Sequence, residues 1–355
     1  MADSIMARRN HSTLLLPLIA LALTACGGGG GGGNGSSTNP TASNNESITA
    51  ITAGNMTSVA SAGANSVAMN VSIQQITTDY VIGAEIRPDV TTAKSTSFPM
   101  LTIALLQEVS GKWRPEALAT GAQFVDSWQC EVSGRMQVSG TVSNIGGENL
   151  QTGDKINMVL SDCNQGGVIL NGAVDITVVS AAGDLNLVGS SASDALTYRD
   201  FKITTGSDAI TVNGSATLDT RMTADKLIGS ITADSLSYQL QRGAQTATLA
   251  LAGHKISFER DEYTSVTTST LSGTSVFNFP ALRGKFSIST LNDISAYADG
   301  AITAGKVKIL GDNSVLYLTY LGSSQIKVEL DSNNDGLIDS TTTSTLTSLD
   351  TQLWQ

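Results

Sequence analysis

From about residue 120 to the C-terminus, apolar and polar residues alternate along the chain. Met136, Val138, Gly140 and Val142 interleave with Arg135, Gln137, Ser139 and Thr141. Val168, Leu170, Gly172, Val174, Ile176 and Val178 repeat the pattern, as do Ile210, Val212, Gly214, Ala216 and Leu218. Alternation this long predicts antiparallel strands with one buried and one wet face. The expected fold is therefore mainly β: a long curved antiparallel sheet, meander or half-barrel, over residues 120–355.

Within that alternation a glycine recurs on the apolar face, flanked two residues away by larger groups. The instances are Gly140, Gly172, Gly214, Gly229, Gly273 and Gly284, with weaker copies at Gly253 and Gly305. Inward glycines remove bulk from a concave surface and permit strong bending. At Asn171-Gly172 and Asn213-Gly214 a second reading stands, since Asn-Gly is also the strongest two-residue hairpin signal. A short internal similarity, Asp194 to Tyr198 against Asp234 to Tyr238, suggests like strand groups stacked along one sheet.

Residues 46–119 read differently. Ile48, Ile51, Met56, Val59 and Ala60 lie near helical spacing, interrupted by Gly54 and Gly63, and Phe98 to Val109 forms a second helix candidate. A small, partly helical N-terminal region is expected.

Ahead of it, Arg8-Arg9 and the apolar run Leu14 to Ala25 have the layout of a signal peptide and fall short of the roughly twenty residues that span a bilayer. Leu23-Thr24-Ala25-Cys26 closes that run and is followed by seven glycines. It resembles the lipobox of bacterial lipoproteins. The resemblance implies removal of residues 1–25, lipidation of Cys26 including palmitate, and, with Gly27 rather than Asp next, an outer-membrane destination. Residues 26–45, rich in Gly, Ser, Asn and Thr, form a flexible linker, and Gly27 to Asn45 would span roughly 24 Å end to end.

The formal net charge is −11, which disfavours nucleic acid as a partner and docking on anionic headgroups. After Cys26 only Cys130 and Cys163 remain, and in an oxidising compartment they are most simply one disulfide enclosing 32 residues. Free thiols or a redox pair are the alternative. His254 is the single histidine after residue 11. It shares a face with Ile256 and Phe258 and is expected to be tucked into the core.

Asp331-Ser-Asn333-Asn-Asp335-Gly336-Leu-Ile-Asp339 looks like the first nine positions of an EF-hand or dockerin-type calcium loop, with Thr342 where a bidentate acid belongs. A hairpin turn closed by Asp335-Gly336 is the competing reading. Gly300 to Val307 resembles a phosphate-binding loop but lacks the terminal hydroxyl and the helix that the motif requires. Tyr198, Tyr238, Tyr317 and Tyr320 fit a sugar-stacking platform or plain packing.

No catalytic motif emerges, so no enzyme is expected. The functional expectation is an outer-membrane-anchored structural or interaction module of the envelope. A carrier of lipid or another apolar ligand in the concave sheet is the alternative, and a polysaccharide-active enzyme the third reading.

Overall fold

The computed structural model describes residues 47–81, 122–143, 151–165, 167–183, 188–261, 263–264, 266–297 and 301–354. Cys26, its linker and the Phe98 to Val109 helix candidate lie outside them. Helix α1 (Met56–Val81) precedes a run of strands: β1 (Ala122–Gln129), β2 (Ser133–Val142), β3 (Lys155–Gln165), β4 (Val168–Ala182) and β5 (Ser191–Thr205). The run continues through β6 (Asp208–Met222), β7 (Lys226–Arg242), β8 (Gln245–Asp261), β9 (Thr267–Phe279) and β10 (Leu282–Ala296). It ends with β11 (Ile302–Gly311), β12 (Ser314–Gly322), β13 (Gln325–Asp331), β14 (Ser340–Thr345) and a short helix α2 (Leu346–Leu353). The fourteen strands make one open antiparallel sheet in chain order, each paired with its sequence neighbours, with β1 and β14 as its edges. The fold is the mainly β meander that the alternation predicts.

The recurrent glycines have two structural uses. At Gly229 a Cβ would lie 2.2 Å from the ring of Phe258, its partner across the ladder, and at Gly273 it would lie 2.5 Å from the ring of His254. There the missing side chain lets a ring from the next strand lie flat over the backbone.

Gly172, Gly214 and Gly253 instead mark bulges. Gly172 (φ +99°) stands opposite Asp200 (φ +46°), where the β4–β5 register slips between Asn171 and Ala173. The β3–β4 ladder slips at Asp162, β5–β6 between Tyr198 and Phe201, β6–β7 between Ser215 and Thr217, and β8–β9 at Gly253 and His254. Neighbouring strands thus break at neighbouring points, and each bulge bends its strand. The hairpin reading of the two Asn-Gly pairs is overturned, because both sit in mid-strand. The Asp162 N–H, left over at its bulge, donates to Asn171 Oδ1 at 2.8 Å, and the Asp200 N–H donates to Asn213 Oδ1 at 2.7 Å. In each pair asparagine supplies the acceptor that the slipped ladder withdraws, and glycine supplies the backbone that the slip demands.

A bulge also shifts the side-chain phase by one, and the sequence shifts with it. β5 buries Leu196 and Tyr198, then Phe201; β8 buries Leu249 and Leu251, then His254, Ile256 and Phe258. Both halves of each strand therefore face the same core, where an uncorrected slip would expose one of them.

Helix α1 is buried nearly all round from Met56 to Ala68, which marks an interior helix rather than a surface one. It packs against β8, β9, β10, β12 and α2. Its small residues allow close approach: a Cβ on Gly63 would lie 2.3 Å from Ile309 Cδ1. The chain reaches α1 by a strap over one rim of the sheet. Thr49 N–H donates to Lys285 O at 3.0 Å, Asp312 N–H donates to Thr49 O at 3.0 Å, and Ile51 N–H donates to the buried Ser314 Oγ at 2.7 Å. At that rim α2 buries Leu349 and Leu353, and Ser61 of α1 donates to Leu349 O. Trp354 closes it, edge-on to Phe279 at 5.4 Å and under the Arg242 guanidinium at 5.1 Å.

Cys130 and Cys163 form a disulfide with Cα atoms 5.3 Å apart. It staples the β1–β2 turn to the bulged end of β3. Closing a loop of this length restricts the unfolded chain by about 4 kcal/mol. The Cys130→Ser/Cys163→Ser protein is expected to lose about 2–4 kcal/mol in urea titrations. A loss under 1 kcal/mol would mean that the edge hairpin unfolds separately from the rest.

Candidate functional site

The 331–339 segment links β13 to β14 and is closed by its own side chains. Asp331, almost wholly buried, accepts the Asp335 N–H at 3.1 Å on Oδ1 and the Gly336 N–H at 2.9 Å on Oδ2. Asn333 Oδ1 also accepts the Asp335 N–H, at 3.2 Å, while Asp335 Oδ1 accepts the Leu337 N–H at 2.8 Å. Asp339 Oδ2 accepts the Ser332 hydroxyl at 2.6 Å and its N–H at 2.7 Å, and these bonds hold its carboxyl below the ordinary range. Asn334 at φ +56° and Gly336 at φ +89° take the left-handed positions of the turn. The four residues matched to calcium ligands thus form one hydrogen-bonded hairpin connection. Among the described residues no group of three or more His, Cys, Asp or Glu side chains is arranged to hold a metal ion.

His254 is buried on the inner face, within the β8 bulge. Its Nε2 lies 3.1 Å from Thr274 O and 3.0 Å from Ser275 Oγ. A carbonyl can only accept, so the hydrogen sits on Nε2, and Nδ1 carries a bare lone pair with no partner. Burial pulls the pKa down to about 4, against a smaller opposing effect of the Thr274 carbonyl. The ring is a core group, as its position beside Ile256 and Phe258 suggests.

Asp194 was not singled out in sequence. It lies on β5 between the buried Ala192 and Leu196 and pairs across the ladder with the buried Val178 and Leu218. Its side chain therefore points to the inner face. Burial, reinforced by the Asp219 carboxylate, raises its pKa to about 6.

The four tyrosines do not form a platform. Tyr198, Tyr238 and Tyr320 are buried on the inner face, and burial pushes the Tyr238 and Tyr320 hydroxyls well above the ordinary tyrosine range. Tyr317 alone faces outward. Gly305 is a strand glycine at φ +141°, packed against Ile294, in keeping with the rejection of a phosphate loop.

Around Tyr317 the ladder assembles a group that sequence reading missed. Lys306, Thr319 and Lys327 are register partners across β11, β12 and β13, and Lys308, Tyr317 and Glu329 form the adjacent row. Alternate residues of a strand share a face, so all six project outward together. Lys327 Nζ lies 2.5 Å and Lys306 Nζ 3.9 Å from the Glu329 carboxylate, whose side chain is 15% exposed. Lys306 also sits over the Tyr317 ring at 4.8 Å. Two other ion pairs on this protein each join one cation to one acid, Arg199 to Asp175 at 3.0 Å and Lys226 to Glu259 at 2.6 Å. The signal was present as Lys306-Val-Lys308 and Lys327-Val-Glu329. It becomes legible only once the register of three strands is fixed.

A shallow depression over β6 to β9, lined by Asp219, Arg221, Ile228, Ser257, Phe258 and Thr270 among others, lies open to solvent. Among the described residues no helix is long and apolar enough to cross a membrane, which says nothing of strands. The chain matches no protein-family model, no curated protein and no solved structure in the comparisons made.

Proposed function

We propose that the mature protein is an outer-membrane-anchored lipoprotein whose folded body acts as a structural or interaction module of the bacterial envelope. The observation that carries the reading is Leu23-Thr24-Ala25-Cys26 at the end of a short apolar run, followed by a glycine-rich linker. Acyl chains contribute about 0.8 kcal/mol per buried methylene, and two or more anchor a protein stably. The linker then lets the body turn near the membrane surface.

The interior helix favours a module over a carrier. α1 lies buried against β8, β9, β10, β12 and α2, in the space an apolar cargo would need. An enzymatic reading gains no support from His254, whose ring is shut away from solvent.

Growth with an alkyne analogue of palmitate should label the wild type and leave Cys26→Ser unlabelled, with the variant released from the membrane fraction. Equal labelling of both proteins would sink the anchor. A stoichiometric lipid retained in native mass spectra of the purified protein would favour the carrier instead.

A further inference from the structure

We propose that the outer face of β11–β13 binds an acidic, carboxylate-bearing polysaccharide through Lys306, Lys308 and Lys327, with Tyr317 and Thr319 completing the surface. The inference deepens the envelope reading by naming a partner class, and rests on it only for where that partner is met.

Charge is the first argument. The chain as a whole is acidic, with 31 Asp and Glu against 20 Lys and Arg. On this face three lysines surround one acid, Glu329, which leaves two positive charges uncompensated within the group. Glu329 is also a positioning residue: it fixes the ammonium groups of Lys327 and Lys306 from beneath and is itself half-buried by them. Among the described residues Lys308 has no ion-pair partner, so its charge is available to a ligand.

Geometry is the second. Lys306 and Lys308 are two residues apart on one strand, about 7 Å, and Lys327 lies two strands away, about 10 Å. Cations at these intervals on one sheet face suit acids borne at intervals along one extended polymer. The two rows also offer the Thr319 hydroxyl and the Tyr317 ring for sugar hydroxyls and sugar faces, which a bare phosphate would leave unused.

A polymer fits better than an anionic membrane. Screening confines each charge to about 8 Å at physiological salt, so a single strand lying on the patch senses mainly the lysines. A membrane plane would approach a broad side of a body carrying an excess of acids, and would be repelled.

The test uses the purified full chain in mild detergent, with immobilised polygalacturonate as probe, neutral dextran as control, and phosphatidylglycerol vesicles as a separate arm. Binding to polygalacturonate is expected, falling with added salt as counterion release requires and weakened about tenfold or more in Lys306→Gln/Lys308→Gln/Lys327→Gln. Lys255→Gln, on β8, should bind as the wild type does. Should the triple variant fail to fold, the single change Lys308→Glu replaces it, with several-fold weaker binding expected. No binding to polygalacturonate, equal binding to dextran, undiminished binding by the lysine variants, or capture by vesicles alone would each overturn the proposal. Palmitate labelling at Cys26 is untouched by any of these outcomes, so the anchor and the polysaccharide face stand or fall separately.

Discussion

Replacing Asp194 by asparagine is expected to stabilise the protein at pH 7 by about 2–3 kcal/mol and to give it an acid sensitivity that the wild type lacks between pH 6 and pH 4. Two titratable groups on the inner face produce this. The Asp194 carboxyl has a folded pKa of about 6 against an ordinary 3.8. Its contribution is therefore fully favourable below 3.8 and is lost as pH rises through 6. The His254 ring has a folded pKa of about 4 against an ordinary 6.5. Being a base with a depressed value, it leaves stability intact above 6.5 and erodes it as pH falls towards 4. Each shift of roughly two units corresponds to about 3 kcal/mol, somewhat less for the half-buried Asp194. On acidification from pH 6 to pH 4 one group gains about what the other loses, and the wild-type profile is expected to be nearly flat.

Asp194→Asn removes one side of that balance, so its urea midpoint should fall steeply over the window. His254→Gln should show the reverse slope, whatever its absolute stability. Below pH 4 the hydrogen-bonded carboxyls of Asp261 and Asp339, both held below the ordinary range, bring ordinary acid loss in every variant. Parallel profiles for all three proteins between pH 4 and pH 6 would show that neither group titrates as its surroundings require.

Valine at position 214 is expected to cost about 4 kcal/mol or more and to deplete folded protein at 37 °C. Gly214 combines φ +116° with a space in which a Cβ would lie 2.1 Å from Ser235 O, so a side chain meets both backbone strain and a carbonyl that cannot move without breaking the ladder. Gly206 separates the two terms. It has φ +60° in the β5–β6 turn, and a Cβ there would meet nothing within 4 Å. Gly206→Ala should cost only about 1 kcal/mol, the left-handed penalty alone. Equal costs at the two sites in chemical denaturation would mean that the bulge is not held by close backbone contact.

Much of this fold was legible because its signals are local. Two-residue alternation gives strands and faces, and the inward glycines pointed to bending of the strands, which at 172 and 214 takes the form of bulges. The phase slips could also have been read: Leu249-x-Leu251 gives way to His254-x-Ile256-x-Phe258 after an extra residue. Helix α2 was missed because alternation runs through Thr342 and Ser344 into Leu346. The Leu346, Leu349 and Leu353 spacing and the Thr345 cap, which accepts the Ser348 N–H at 3.2 Å, were the competing evidence.

The sites divide in the same way. The Asp331 to Asp339 turn and the pairing of Cys130 with Cys163 could be read from neighbouring residues or from simple arithmetic. The lysine face could not, because Lys306 and Lys327 are separated by two hairpin connections whose registers set whether they meet. Asp194 was hidden differently: an aspartate among serines and alanines reads as a wet position until the flanking strands show which face it joins.

The strap at Thr49 has a mechanical consequence. Any pull on the chain upstream of Ser47 reaches the body through Thr49 and Ile51, whose backbone bonds to Lys285, Asp312 and Ser314 grip β10 and the β11–β12 turn at once. Tension would therefore be shared between two strands of the sheet before any of it reached α1. The point where the chain enters the body is a clamp on the rim, and the interior helix is shielded from such a load.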